Sequence, residues 1–338
     1  MSASKKIIIV GGVAGGASVA ARARRLSEDA HIIVVERGHF VSYANCGLPF
    51  HIGGEIPDRD SLLVQTPQGL RNRFNLDVRT ESEAVRIDPT NQLLTIKNLT
   101  TGETYDESYD DLVLAPGAKP LSFPIPGIDR AGHFVLREIP DMDRIIAWNG
   151  AVRPRRATVV GAGYVGLEVA EQLTRLGISV TVIEARSQVL AVIDEDMAFW
   201  AQRQLEDHHV DVRLDTMVTS FEDPLDGEDA AASVVVCNDG SRIPTDLVVL
   251  SMGVKPEVDL AVDAGLEIGE FGGIRVNQHM RTSDEHIWAV GDAIEVRNPI
   301  TREWSCSSVS TTVRRPAATS AMVSSNAPGS MRPSCPHL

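Results

Sequence analysis

Positive charge is in deficit: 32 Lys and Arg stand against 46 Asp and Glu, for a net charge of −14. With a pI of about 5.1, a broad electropositive footprint for nucleic acid is excluded. Cysteine is scarce. Cys46, Cys237, Cys306 and Cys335 are too few and too scattered for a disulfide framework, and no two have zinc-ligand spacing, so no metal site is expected. That usage fits a reducing cytoplasm, where an isolated thiol is either inert core or reactive. No run of about 20 apolar residues exists, so no membrane span is expected. What is present is 43% hydrophobic residues across 338 positions, enough for roughly two domains at ~150 residues each.

The amino terminus has the outline of a secretory signal. Lys5 and Lys6 precede the apolar run Ile7 to Ala21, and Ala21-Arg22-Ala23 mimics a cleavage site. Gly11, Gly12, Gly15 and Gly16 inside the run fit a tight turn far better. Ile7 to Val10 reads as a buried parallel strand, Ala14 to Leu26 as a helix and His31 to Glu36 as a second strand. The pattern recurs: strand Ala157–Val160, turn Gly161–Gly166, helix Tyr164–Leu176, strand Ser179–Glu184. Two such units imply two nucleotide-binding domains. Val85–Asp88 and Leu93–Ile96 read as strands joined around Pro89, and Asp111–Ala115, Ser233–Cys237, Leu247–Ser251 and His286–Val290 as further strands. Pro120, Pro124 and Pro126 are spaced like a linker.

Gly161-Ala162-Gly163-Tyr164-Val165-Gly166 is a full G-x-G-x-x-G. Its first Gly permits the turn, its second lets a pyrophosphate approach the backbone, and its third lets helix and strand pack closely. The helix N-terminus attracts the phosphates. Glu184 ends the next strand, where its carboxylate can accept from both ribose hydroxyls and repel a 2′-phosphate. NADH is therefore expected over NADPH, although Arg186 opposes this. In Gly11-Gly12-Val13-Ala14-Gly15-Gly16, Val13 replaces the second motif Gly, and the strand-turn-helix-strand context with Glu36 restores the match. Cys46, among small and polar neighbours in Ser42-Tyr43-Ala44-Asn45-Cys46-Gly47-Leu48-Pro49, suggests an accessible thiol near a helix start. On composition alone, inert core is the commoner fate of a lone Cys, and Cys237 beside Val234-Val235-Val236 fits it. Ser18, Arg22 and Arg25 share one helix face. Two Arg on one face suit a phosphate-bearing ligand, or form a solvated stripe, as is expected of Arg24 on another face.

These two units, with Cys46, Leu114-Ala115-Pro116-Gly117-Ala118 and Ala289-Val290-Gly291-Asp292, resemble the FAD-dependent pyridine nucleotide–disulfide oxidoreductases. The Cys46 segment and Val10–Gly16 resemble their single-cysteine coenzyme A-disulfide reductases. Dithiol members carry a second Cys five residues on, where this chain has His51, so an internal redox disulfide is excluded. The resemblance implies an α/β fold of two Rossmann-like domains. A discontinuous FAD domain (1–118 and 254–304) would hold an inserted NAD(P) domain (119–253). It implies FAD contacts from the first turn, Glu36, the Val85 backbone, Ala115, Gly117 and Asp292. Gly161, Gly163, Tyr164, Val165, Gly166, Glu184 and Gly253 would contact the nicotinamide dinucleotide. Coenzyme A contacts map onto Ser18, Arg22, Arg25, Ser42 and Asn45, and Cys46 would be the redox thiol. The implied activity is reduction of a small-molecule disulfide such as coenzyme A disulfide. NADH oxidase, peroxidase and persulfide reductase are family alternatives, and a non-catalytic dinucleotide-binding remnant is the alternative of another class.

The resemblance ends near Trp304. The last 34 residues, Ser305 to Leu338, hold nine Ser, four Pro and no acidic residue. They are expected to be a disordered, aberrant tail, the chain being truncated before the dimerisation domain of its homodimeric relatives.

Overall fold

The computed structural model describes residues 4–225, 231–298 and 300–306. The expected tail lies outside the described residues from 307 onward, as does Cys335. Packing divides the chain into two compact units. One comprises Met1–Tyr43, Gln65–Ala118 and Pro256–Leu338, and the other Ala44–Val64 and Lys119–Lys255.

In the first unit, five parallel strands lie in the order Ile287–Ala289, Asp111–Leu114, Lys6–Val10, His31–Val35, Asp77–Arg79. Lys6–Val10 and His31–Val35 are β-branched and buried on both faces, as a parallel sheet covered on two sides requires. Helix Ala14–Leu26 returns the chain between them and buries its small face of Gly16, Ala17, Ala20 and Ala23. The Ser82–Asp88, Leu93–Asn98 and Thr104–Ser108 strands form a separate antiparallel sheet.

The second unit repeats the plan. Its parallel order is Asp211–Arg213, Ser179–Ile183, Arg156–Val160, Leu247–Leu250, His133–Val135, with helix Tyr164–Arg175 as the crossover.

Three expectations change. Residues 44–64 group with the second unit, not with the first 118 residues, because helix Leu48–Ile52 packs on helices Ile139–Val152 and Tyr164–Arg175. The proline-spaced segment is no free linker. Ile125 and Ile128 pack on the core formed by Val160, Ile183, Phe221 and Val248, and the Pro126 carbonyl accepts from Phe221 N–H at 2.8 Å. Arg24 is not a solvated cation. Its guanidinium donates to the carbonyls of Phe74 at 2.8 Å, Asn75 at 2.9 Å and Ser27 at 3.2 Å, and also to that of Glu28. It thus satisfies backbone acceptors beyond the helix end.

Candidate dinucleotide sites and the Cys46 segment

In each unit the sheet order reverses beside the strand that enters the glycine turn, which is where open α/β sheets bind ligands. In the first unit that crevice lies between Lys6–Val10 and Asp111–Leu114. Gly11 has φ +95°, and a Cβ there would stand 2.1 Å from the Ala115 carbonyl oxygen. A Cβ on Gly16 would stand 1.7 Å from the Gly11 oxygen, so helix and strand approach as closely as backbones allow. In the second unit Gly161 has φ +104°, with 2.2 Å to the Ser251 oxygen, and Gly166 repeats the close approach with 2.0 Å to the Gly161 oxygen. A Cβ on Gly163 would meet nothing within 4 Å, so the turn is open on that side.

The two acidic residues occupy matching places. Glu36 accepts from Gly12 N–H and Gly38 N–H, both at 2.7 Å. Glu184 accepts from Ala162 N–H at 2.8 Å and Arg186 N–H at 3.0 Å. Each carboxylate is thus fixed against its glycine turn. With about four acceptor sites per carboxylate, roughly two remain for ribose hydroxyls. The first intrahelical bonds run from Ala17 N–H to Val13 and from Leu167 N–H to Gly163. The preceding N–H groups point out of the helix start, and neither helix has an acidic residue in its first turn. Outward donors and helix starts free of acidic residues fit a pyrophosphate at both turns, and the open side at Gly163 adds room at the second.

Other expected flavin contacts gather around the first turn. A Cβ on Gly15 would lie 3.4 Å from Val290 Cγ2, 3.6 Å from Ala115 Cβ and 3.8 Å from Gly291 Cα. Asp292, in the short helix Gly291–Ala293, therefore follows directly on residues lining that crevice. Val85 lies at a bulge of the Ser82–Asp88 strand, where register shifts between Ala84 and Arg86. A bulged residue leaves its backbone groups outside the ladder. The same strand begins beside Glu36, whose carbonyl accepts from Ser82 N–H at 3.0 Å. Gly117 has φ +77°, and its carbonyl accepts from Glu257 N–H. In the second unit Gly253 has φ +100° and its carbonyl accepts from Leu121 N–H at 2.9 Å. Tyr164 and Val165 are exposed at the start of their helix. Half-buried Glu168 follows on that helix; burial first, and then Glu171, push its carboxyl above the usual range.

Cys46 is exposed, within the short helix Asn45–Gly47. That turn is closed by Ala44 N–H donating to Leu62 and Gly47 N–H donating to Ala44. Asn45 is exposed and its amide reaches the Arg137 carbonyl at 3.5 Å. His51 Nδ1 lies 2.6 Å from the Ile56 carbonyl, so its ring is held by the backbone. Cys237 is buried, and burial pushes its thiol up. Cys306 is half-buried, its thiol raised first by burial and then by Glu295, and it donates to the Phe271 carbonyl. In the first unit Ser42 has φ +45° and donates its N–H to the Gly12 carbonyl, placing it at the glycine turn. Ser18 is exposed, Arg22 half-buried, and Arg25 lies 6.0 Å from the Phe74 ring centre.

Sequence reasoning missed Ser251 and Gln172. Ser251 supplies the carbonyl that closes on Gly161, as Ala115 does on Gly11. Its place after a β-branched strand in the second unit was the available signal. Gln172 is wholly buried on helix Tyr164–Arg175, and nothing in its spacing marks it.

Two parallel sheets, each with a glycine turn at its switch point and a carboxylate fixed on the turn, define a protein with paired dinucleotide-binding folds. The pyridine nucleotide-disulphide oxidoreductase family matches residues 5–321, and the chain belongs to it. The match runs past Trp304, where the resemblance was expected to end. In keeping with this, Trp304–Cys306 is a strand paired with Ile294–Arg297. The chain is 33% identical over 290 residues to a coenzyme A disulfide reductase of Staphylococcus haemolyticus, covering 86% of this chain and 63% of that protein. It is 35% identical over 299 residues to an NADH oxidase of Methanocaldococcus jannaschii, covering 88% and 65%. The structure of reduced Bacillus anthracis CoADR-RHD superposes with a TM-score of 0.88 at 46% identity, over 95% of this chain and 56% of that one. The chain thus spans less than two thirds of the length of these relatives. Among the described residues no helix is long and apolar enough to cross a membrane, and no cluster of His, Cys, Asp or Glu suits a metal ion.

Proposed function

We propose that the chain is an FAD-dependent NAD(P)H oxidoreductase acting on a small-molecule disulfide, coenzyme A disulfide above all. The observation that supports the reading is the exposed thiol of Cys46, without a second Cys at position 51, in a chain with two dinucleotide turns. The first turn, Glu36, Ala115, Gly117, Asp292 and the Val85 backbone would hold FAD. The second turn, Glu184 and Gly253 would hold NADH. Ser18, Arg22, Arg25, Ser42 and Asn45 would bind the phosphate-rich thiol carrier. FAD held there would supply the two-electron chemistry that links a nicotinamide donor to sulfur.

The chain's own part is at sulfur. The Cys46 thiolate attacks one sulfur of the substrate disulfide, forming Cys46–S–S–R and expelling one thiolate, which takes a proton from water. Two electrons and a second proton cleave the mixed disulfide, releasing the other thiol and restoring Cys46. A reducing cytoplasm is the compartment this cycle requires.

The relative named as an NADH oxidase favours a second reading, in which Cys46 cycles through sulfenate with oxygen or peroxide as acceptor. The test is a visible spectrum of the purified chain followed by NADH oxidation with coenzyme A disulfide, oxygen or peroxide. Cys46→Ser is compared with Cys237→Ser. Flavin bands near 1:1, turnover of the disulfide, and its loss in Cys46→Ser alone are expected. A colourless protein favours a non-catalytic remnant, and equal disulfide rates in wild type and Cys46→Ser would refute the role of the thiol.

A further inference from the structure

We infer that Gln172 is a positioning residue for Cys46, an inference that rests on the proposed role of that thiol. Helix Leu48–Ile52 follows the Asn45–Gly47 turn directly, so the orientation of that short helix sets where Cys46 stands. Its far end is Gly53, whose N–H donates to the Pro49 carbonyl at 3.0 Å. A Cβ built on Gly53 would stand 2.0 Å from Gln172 Oε1 and 2.9 Å from Gln172 Cβ. The φ of Gly53 is −76°, so glycine is needed there for space and not for conformation. The Gln172 side chain therefore lies flat against the backbone that closes the Cys46 helix.

A carboxamide is an unexpected choice for this position. Gln172 is 0% exposed and shares its helix with the buried Gly166, Val169, Ala170 and Leu173. It is the one buried polar residue of that helix. Its Nε2 reaches Glu55 Oε2 at 3.4 Å, and Arg175 meets the same oxygen at 3.5 Å. Its Oε1 has no hydrogen-bond partner among the described residues. An apolar side chain would fill this space without burying an unpaired acceptor. What the amide adds is a bond to Glu55, two residues beyond Gly53, on the segment whose N–H groups fold back onto Phe50 and His51. The packing on Gly53 and the bond to Glu55 together grip the Cys46 segment at its carboxyl end. Arg59 holds it farther along, in a two-point pair with Asp143 at 2.9 and 2.7 Å. The grip comes from the helix that starts at the second glycine turn, about 12 Å along its axis from Tyr164.

The test reads Cys46 directly. Iodoacetamide alkylation of Cys46, followed by peptide mass spectrometry, is timed in wild type, Gln172→Ala, Gly53→Ala and the double variant, with buried Cys237 as the reporter of fold. Each single variant should change the Cys46 rate by at least about threefold while Cys237 stays protected. The double should show no more than the larger single effect, since removing the amide makes room for the new methyl. Where a disulfide substrate turns over, kcat should fall with KM and dye reduction unchanged. Unchanged Cys46 rates in both single variants, with Cys237 protected, overturn the inference. If Gln172→Ala exposes Cys237, then Gln172→Met, which keeps the length and loses the amide, decides by the same criterion. If wild type turns over no disulfide, the proposed function fails while the alkylation result still stands.

Discussion

Glu184 offers a quantitative test of which nicotinamide dinucleotide the second turn accepts. Its two oxygens are fixed by the N–H groups of Ala162 and Arg186 at 2.8 and 3.0 Å. It cannot swing away from a ligand without releasing both. A 2′-phosphate in place of a ribose hydroxyl would stand near this carboxylate. At ~4 Å two unit charges repel by ~1 kcal/mol in bulk water and by ~4 kcal/mol at an effective dielectric constant near 20. Glu184 is half-buried, between those limits, and exposed Arg186 and salt both weaken the field. The lower part of the range applies, so kcat/KM should favour NADH by about five- to fiftyfold at ~1.4 kcal/mol per factor of ten. Glu184→Gln removes the charge and keeps one acceptor oxygen. It should reduce the ratio by at least about fivefold, mainly through better use of NADPH. The assay is steady-state dye reduction with each donor at fixed ionic strength. A wild-type preference for NADPH, or an unchanged ratio in Glu184→Gln, would refute the argument.

Two further outcomes follow from other parts of the chain. Arg22→Ala with Arg25→Ala should raise KM for coenzyme A disulfide and leave dye reduction intact, at ~1.5–3 kcal/mol for each charge-assisted hydrogen bond removed; an unchanged KM would make the pair a solvated face. His133 lies under Phe221 at 4.6 Å between ring centres, and burial, though opposed by the Ile128 carbonyl, holds its pKa below the usual 6.5. The unfolded chain then binds the proton more readily, so His133 contributes stability above pH 6.5 that is lost as pH falls toward the folded value. A Tm series between pH 5 and 8 should show a smaller fall on acidification in His133→Gln, and an identical slope would count against it.

Much of the backbone around the two glycine turns was legible because it is specified at short range. Helix Ala14–Leu26 has the bounds that its glycine turn and small apolar face predict. Glu36 and Glu184 stand where a strand of fixed length must end after such a turn. The strand Thr104–Ser108 was not legible: Thr-Tyr-Asp-Glu-Ser has no apolar face, is largely exposed, and pairs with Leu93–Asn98 through its backbone and a hydrogen bond from Thr95 to Asp106 at 2.6 Å. The allegiance of residues 44–64 was not legible either. Nothing in Ala44–Val64 names its partner, because the decision rests on packing such as that of Gly53 against Gln172, which lie far apart in sequence. Long-range polar partners also carry little local signal. Arg59 finds Asp143, and Arg24, whose helix face suggested only solvent, finds the carbonyls of Phe74 and Asn75.

The glycine motif shows the same limit within six residues, since its letters do not say which glycine serves folding and which serves the ligand. At Gly161 an added methyl would meet the Ser251 carbonyl at 2.2 Å in a backbone with φ +104°, so two backbones would have to part. At Gly163 φ is −77° and the same methyl would meet nothing within 4 Å. The first turn carries Val13 at that place and forms the same strand-turn-helix unit, so a side chain there is compatible with folding. Gly161→Ala should therefore lower Tm sharply, by more than ~2 kcal/mol of stability. Gly163→Ala should stay within about 1 kcal/mol of wild type, the ordinary cost of alanine at a helix N-cap. Its effect should appear in the ligand: the methyl occupies the open side by which a pyrophosphate approaches, so the Kd for NADH should rise at least about threefold. Thermal melts and NADH titrations of the two variants decide the matter together. A stable Gly161→Ala, or a Gly163→Ala that binds NADH as wild type does, would show that the division of roles between the two glycines is wrong.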